Sequence, residues 1–178
     1  MARRYKLFAF VGILSIVLDQ LTKWWARHEL VTAGHSATVI KGYWDWRLSY
    51  NTGSAFGMFA GQTGSRVFLS VVGVAATVAI LFILRRARDE QKWMTAALAL
   101  VAGGAIGNVI DRLLAGKVTD FVVWKIGKSE WPAFNIADCA LVVGVAIMFL
   151  DVGREQRRHK EATAVENLAD PQKGRKQG

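Results

Sequence analysis

The chain has 178 residues, 52% of them hydrophobic, and its 23 basic and 14 acidic residues give a formal net charge of +9. The apolar content excludes a disordered chain, because a solvated coil cannot contain so much hydrophobic side chain. The single cysteine, Cys139, excludes a disulfide framework and a cysteine-based zinc site. The basic excess by itself would also suit a nucleic-acid-binding protein, so the positions of the apolar residues decide the class.

Four apolar segments follow one another along the chain. The first covers residues 7–18 and is extended to residue 25, and the others cover 67–84, 93–110 and 133–150. Eighteen helical residues span about 27 Å, close to the thickness of the hydrocarbon core of a bilayer. The first segment also has the form of a signal peptide, but no small-residue cleavage site follows it. We therefore predict four transmembrane helices.

Basic residues flank these segments asymmetrically. Three lie before the first segment, four between the second and the third, and seven after the fourth. The positive-inside rule therefore predicts that both termini are cytoplasmic and that residues 26–66 and 112–132 face outward. The charge is a topology signal, and we expect no nucleic-acid partner. We predict a membrane domain over residues 1–153 and a basic, disordered cytoplasmic tail over residues 154–178.

The outward segments are more than simple loops. Residues 37–50 and 117–126 are rich in Val, Ile, Tyr and Trp, which is typical of strands or interfacial segments. The predicted fold class is therefore a mainly α membrane protein. It has four transmembrane helices, a small extracytoplasmic β-rich element and an interfacial segment.

Polar side chains gather at one leaflet under this topology. Ionisable residues within a membrane are costly and indicate function. Polar residues that share a predicted helix are three or four positions apart, so they lie on one face of that helix. The polar residues at this leaflet are Asp19, Lys23, Asn51, Asn108, Asp111, Arg112, Asp120, Asn135 and Asp138.

Paired carboxylates at a membrane edge suit peptide hydrolysis. Two close carboxyl groups share a proton, so one acts as the acid and the other as the base. Asp19 lies one turn before Lys23, and we interpret Asp111 and the arginine that follows it as a structural ion pair. Composition alone does not choose the reacting pair, but it favours Asp120 with Asp138, which has no basic residue within a turn.

Five short motifs carry a resemblance to a known family. They are DQLTK at 19–23, NTGSAFG at 51–57, GNVIDR at 107–112, VTDF at 118–121 and FNIAD at 134–138. In this order and spacing, from Leu7 to Leu150, the sequence resembles the lipoprotein signal peptidases, also called signal peptidase II.

The resemblance implies a specific activity. The aspartate dyad of the family falls on Asp120 and Asp138, and no metal or other cofactor is expected. Positions that line or support the site are Asp19, Lys23, Asn51, Gly53, Asn108, Asp111, Arg112, Asn135 and Ala137. The implied substrates are bacterial prolipoproteins that carry a diacylglyceryl group on a cysteine, cut just before that residue.

The resemblance also implies the setting of the enzyme. The expected location is the bacterial inner membrane, in contact with lipid, with the site near the periplasmic face. We expect inhibition by cyclic peptides of the globomycin type, and a monomer.

Two other functions use clustered carboxylates. A proton- or cation-coupled transporter would normally place them near the midplane of the membrane, whereas here they lie at one edge. A divalent-metal lipid phosphotransferase would use aspartates as ligands, but Asp111, Asp120 and Asp138 do not form a short helical ligand motif.

Overall fold

A computed structural model describes residues 2–53, 64–127 and 129–169. Its helices are α1 (Arg3–Thr32), α2 (Ser65–Arg86), α3 (Lys92–Leu114) and α4 (Ile136–Ala169). Its strands are β1 (Ser36–Ile40), β2 (Trp44–Asn51), β3 (Val118–Ile126) and β4 (Ser129–Glu130). Residues 54–57 of the second motif lie outside the described residues.

All four predicted helices are present, and each contains a stretch long and apolar enough to cross a membrane. Helix α3 lies at the centre of the bundle and packs against the other three helices. In the most hydrophobic 18-residue stretch of α3, 61% of the residues are buried, against 11–17% in the corresponding stretches of the other three helices. The outer helices therefore present their apolar side chains to lipid, as expected in a four-helix membrane domain.

Small residues let the helices approach α3 closely. A Cβ atom on Gly104 would lie 2.4 Å from the carbonyl oxygen of Ala137 in α4. A Cβ atom on Gly103 would lie 2.8 Å from the Cβ atom of Ser15 in α1. Close backbone approach through small residues is typical of helix packing in membranes, and here it brings α1 and α4 against the polar end of α3.

The outward segments form one antiparallel sheet in the order β1-β2-β3-β4, which confirms the strand prediction. The register pairs Ser49 of β2 with Asp120 of β3. An isolated bridge joins Val122 of β3 to Phe134, two residues before α4. This bridge places the start of α4 beside the strand that carries Asp120.

The helical ends extend beyond the predicted apolar segments. Helix α1 continues to Thr32, and α4 continues to Ala169. The structure thus differs over residues 154–169 from the predicted disordered tail. Alanine, glutamate, glutamine, lysine and arginine dominate this stretch, and all are good helix formers.

Candidate active site

Asp120 and Asp138 come from different elements and are joined through one residue, Asn135. The Nδ2 atom of Asn135 donates to Oδ1 of Asp120 at 2.7 Å. The backbone N–H of Asn135 donates to Oδ2 of Asp138 at 3.1 Å. The two carboxyl groups are therefore bound to the same asparagine.

Asn135 also caps helix α4. Its Oδ1 atom accepts a hydrogen bond from the backbone N–H of Asp138 at 3.0 Å, while Asp138 accepts from the backbone of Asn135. This reciprocal pair has the geometry of a capping box. Because Oδ1 must face the helix, the amide nitrogen of Asn135 must face Asp120.

Asn108 holds the other side of Asp138. Its Nδ2 atom donates to Oδ1 of Asp138 at 2.9 Å. Its Oδ1 atom accepts from Nζ of Lys23 at 2.9 Å and from Asn135 at 3.1 Å. An ammonium group can only donate, so Lys23 fixes the orientation of the Asn108 amide.

Lys23 is fully buried and bound to two carboxylates. Its Nζ atom lies 2.8 Å from Oδ2 of Asp19 and 3.4 Å from Oδ2 of Asp111. A buried charge is tolerated when it is paired and hydrogen-bonded on every side. Asp19 also accepts the backbone N–H of Ala137 at 2.9 Å, which ties α1 to the first turn of α4.

The predicted ion pair between Asp111 and Arg112 is wrong. Asp111 contacts Lys23 and Arg27, the latter at 3.7 Å. Arg112 instead donates to the backbone oxygen of Asn108 at 3.3 Å. Adjacent residues on a helix point about 100° apart, so consecutive side chains do not face each other.

Three residues that sequence reasoning missed complete the network. Gln20 donates to the backbone oxygen of Gly107 at 3.1 Å and to Asp19 at 3.0 Å. The backbone N–H of Thr119 donates to Oδ2 of Asp111 at 2.9 Å, and Arg27 donates to Oγ1 of Thr119 at 2.9 Å. Gln20 follows Asp19 and Thr119 precedes Asp120 within the motifs, and this adjacency is the feature of the sequence that could have identified them.

A cavity of about 520 Å³ opens beside the two carboxyl groups. Its apolar lining includes residues of α2, α3 and α4, together with Trp131. Its polar lining is Asn51, Asn108, Arg112, Asp120 and Asp138. Lys23, Asp19 and Asp111 lie outside this lining, in the buried network behind Asn108.

Gly53 takes no part in the cavity lining. Its backbone N–H donates to Oδ1 of Asn51 at 3.1 Å, so it shapes the turn after β2. The structure therefore brings the predicted residues together as two layers, one against the cavity and one buried behind it.

The electrostatic setting of Asp120 is unusual for an aspartate. Burial and the negative charge of Asp138 raise the pKa of Asp120 to about 7. Hydrogen bonds from Asn135 and Asn51 and the positive charge of Lys23 oppose this rise. Asp120 is therefore able to hold a proton near neutral pH, as one member of an acid–base pair does.

Comparison with known proteins decides the family. A family model described as signal peptidase (SPase) II matches residues 11–154. The chain belongs to the signal peptidase II family. It is therefore a peptidase, and the four apolar helices make it a multi-pass bacterial membrane protein.

Relatives of this signal peptidase II chain agree with the assignment. The lipoprotein signal peptidase of Teredinibacter turnerae is 44% identical over 143 residues, covering 79% of this chain and 83% of the relative. That of Ralstonia nicotianae is 42% identical over 149 residues, covering 83% and 84%. A bacterial membrane enzyme solved by the in meso method at 2.3 Å resolution matches with a TM-score of 0.72 and 27% identity, covering 84% of this chain and 88% of that chain.

These comparisons give no support to the transporter alternative. The metal-dependent phosphotransferase would need a ligand cluster. Within residues 2–53, 64–127 and 129–169, no group of three or more His, Cys, Asp and Glu side chains is placed to hold a metal ion.

Proposed function

We propose that this chain is an aspartic lipoprotein signal peptidase in which Asp120 and Asp138 are the catalytic residues. Its substrates are diacylglyceryl-modified prolipoproteins, which it cuts before the lipidated cysteine. The observation that carries the proposal is that both carboxyl groups line one cavity and are bound to the same asparagine, Asn135.

The proposed reaction divides the roles of acid and base. Donors reach both oxygens of Asp138, from Asn108 and from Asn135, which suits an ionised carboxylate. Asp138 removes a proton from water, and the hydroxide attacks the scissile carbonyl. The proton of Asp120 stabilises the oxyanion and then passes to the leaving amine of the cysteine as the C–N bond breaks.

The apolar cavity walls fit a substrate that is itself in the membrane. Leu69 and Val72 of α2 and Leu141 and Val142 of α4 line the cavity. Asp138 lies in the first turn of α4, so the carboxyl groups stand at the end of the helices. A scissile bond at the membrane surface can reach them while the apolar signal peptide stays within the bilayer.

The remaining features of the proposal follow from charge and from the family resemblance. The basic flanks of the helices support a topology with both termini in the cytoplasm and the site at the periplasmic face, and we propose that topology. We propose that the chain acts as a monomer and that globomycin-type cyclic peptides compete for the cavity.

An in vitro assay with a lipidated prolipoprotein tests this function. Asp120→Asn and Asp138→Asn should each abolish cleavage while the purified proteins remain folded. Asp151→Asn, on the same helix as Asp138 but away from the cavity, is the matched control and should cleave normally. Activity comparable to wild type in either dyad variant would overturn the assignment.

A further inference from the structure

A second cavity, of about 260 Å³, lies at the end of the bundle opposite the two carboxyl groups. It is bounded by the link that joins α2 to α3, the first turn of α3 and the last part of α4. Arg154 in its lining follows Asp138 by sixteen residues on α4, about 24 Å along the helix. Four basic and three acidic side chains line it. We call it the basic cavity, after Arg88, Lys92, Arg154 and Arg158.

The basic cavity lies where the apolar part of the helices ends. The apolar segment of α3 begins at Trp93, which lines the cavity, and that of α4 ends at Leu150, one turn before Arg154. Trp93 is 63% exposed, and Phe149 of α4 is 75% exposed. Tryptophan is enriched where hydrocarbon meets water. The cavity is therefore at the depth of the lipid headgroups, and exposed apolar side chains begin at its membrane side.

The link that forms one wall of the basic cavity is anchored on both sides. Asp89 pairs with Arg4 of α1 at 3.2 Å. The backbone N–H of Arg88 donates to Oε1 of Gln91 at 2.9 Å, and the backbone N–H of Gln91 donates to the backbone oxygen of Arg88 at 3.1 Å. Arg88 also pairs with Glu155 of α4 at 2.9 Å, which joins two walls of the cavity. The cavity is therefore built from elements that are held in place.

Most of the basic groups in this cavity are unpaired. Within the part of the chain whose side chains the structure describes, Lys92, Arg154 and Arg158 form no ion pair. Arg88 has one acidic partner, and a guanidinium carries five N–H donors. All four groups therefore have donors left for an anion. Arginine matches the geometry of a phosphate group particularly well, since two of its N–H groups can bind two phosphate oxygens.

We propose that the basic cavity binds the headgroup of an anionic phospholipid, phosphatidylglycerol. Its phosphodiester lies among Lys92, Arg154 and Arg158. A hydroxyl of its glycerol headgroup donates to the carboxylate of Glu90, which also lines the cavity. Basic pockets between membrane helices recognise lipid headgroups in this way. Under the proposed topology this lipid belongs to the cytoplasmic leaflet, and its binding does not depend on the proposed peptidase activity.

The bound lipid has a structural consequence. Its phosphate lies between the start of α3 and the end of α4 and offsets the repulsion among the basic groups that these elements bring together. Phosphatidylglycerol should therefore raise the melting temperature of the protein in detergent. The rate of cleavage of a lipidated prolipoprotein should not change, because the reactive carboxyl groups are at the other end of the bundle.

Native mass spectrometry of the full chain in detergent tests the binding. The protein is titrated with dioleoyl phosphatidylglycerol, and in parallel with dioleoyl phosphatidylcholine, which has the same acyl chains but no net charge. The wild type should retain phosphatidylglycerol in preference. A variant that combines Lys92→Gln, Arg154→Gln and Arg158→Gln should bind the first phosphatidylglycerol at least about 10-fold more weakly, because each basic residue contributes to the attraction.

A matched variant controls for overall charge. Arg85→Gln, Arg86→Gln and Arg157→Gln together remove three basic groups from the same end of the molecule, and none of them lines the cavity. This variant should bind phosphatidylglycerol as the wild type does. Equal losses in the two triple variants would overturn the proposal, since the lipid would then respond to net charge alone.

Two comparisons on the wild type need no variant. Equal retention of phosphatidylcholine and phosphatidylglycerol would refute an anionic headgroup as the ligand. A rise in melting temperature that inorganic phosphate produces at the same concentration as the lipid would assign the cavity to a soluble anion and refute the lipid. Cleavage by the cavity variant is measured separately, so a failure of the proposed dyad would leave the binding result intact.

Discussion

At the scale of single residues, hydrogen bonds fix the orientation of the two asparagines that contact the proposed dyad. The Oδ1 atom of Asn135 accepts the N–H of Asp138, so its amide nitrogen faces Asp120. The Oδ1 atom of Asn108 accepts from Lys23, so its amide nitrogen faces Asp138. Each carboxyl group thus receives a donor whose orientation is fixed by a second, obligatory hydrogen bond, which is the arrangement that preorganised sites require.

Asn135→Ser separates the capping of α4 by Asn135 from its hydrogen bond to Asp120. Serine still caps α4, because its hydroxyl oxygen can accept the N–H of Asp138, but it removes the donor to Asp120. We expect Asn135→Ser to keep the stability that comes from the cap, and to lose about 10- to 100-fold in kcat/KM, the effect of a lost buried hydrogen bond worth about 1–3 kcal/mol. Asn135→Ala should lose a similar amount of activity and should be about 1 kcal/mol less stable than Asn135→Ser, because it also lacks the cap. Wild-type turnover of Asn135→Ser would contradict an orienting role.

The pH dependence follows from the raised pKa of Asp120. In the proposed mechanism the pair holds one proton, and this proton is lost as the pH rises through the pKa of about 7. We therefore expect kcat/KM for the lipidated substrate to decline above about pH 7. The apparent pKa measured from this profile describes the pair of carboxyl groups together.

Asn51→Ala should move this decline to higher pH. The hydrogen bond from Asn51 lowers the pKa of Asp120, so its removal makes the proton harder to lose. Thr52→Ala, at the exposed next position, is the control and should leave the profile where it is. A profile of Asn51→Ala that stays in place or moves to lower pH would rule out this account of the proton.

At the scale of the elements, sequence patterns could locate the helices and strands because hydropathy and strand propensity are local properties. They could also flag Asn108 and Asp138, since a polar side chain in an apolar helix stands out. The partner of Asp111 could not be found in this way, because its contact with Lys23 joins helices 88 residues apart. The hydrogen bond from Thr119 to Asp111 could not be predicted for another reason. Its donor is the backbone N–H, which every residue except proline has, so the residue type gives no indication of it.

Gly104→Ala tests the close packing of α3 against α4. The added Cβ atom would lie 2.4 Å from the backbone oxygen of Ala137, which cannot move aside as a side chain can. We expect the variant to lose about 1–3 kcal/mol of stability, measured as a lower melting temperature in detergent. Gly153→Ala in α4 meets nothing within 4 Å and should be neutral or slightly stabilising. Equal melting temperatures for Gly104→Ala and wild type would show that the helices separate easily here.

At the scale of the whole molecule, reactive groups and basic charge lie at opposite ends of the bundle. Asp138 stands in the first turn of α4, and Gly153 lies fifteen residues later, about 22 Å along the helix. Beyond Gly153, Glu155 makes an exposed ion pair with Arg88 at 2.9 Å. Exposed pairs of this kind contribute about 0–1 kcal/mol, so this pair adds little to the stability of the fold.

A chain that ends at Gly153 should therefore cleave its substrate at close to the wild-type rate. The expected cost is a small loss of melting temperature, and Glu155→Gln alone should reproduce the part that comes from the pair with Arg88. Initial rates with the lipidated prolipoprotein, at matched amounts of enzyme in vesicles, measure the effect. A large loss of turnover in the truncated enzyme, with its melting temperature retained, would instead assign the basic end of α4 a part in the reaction.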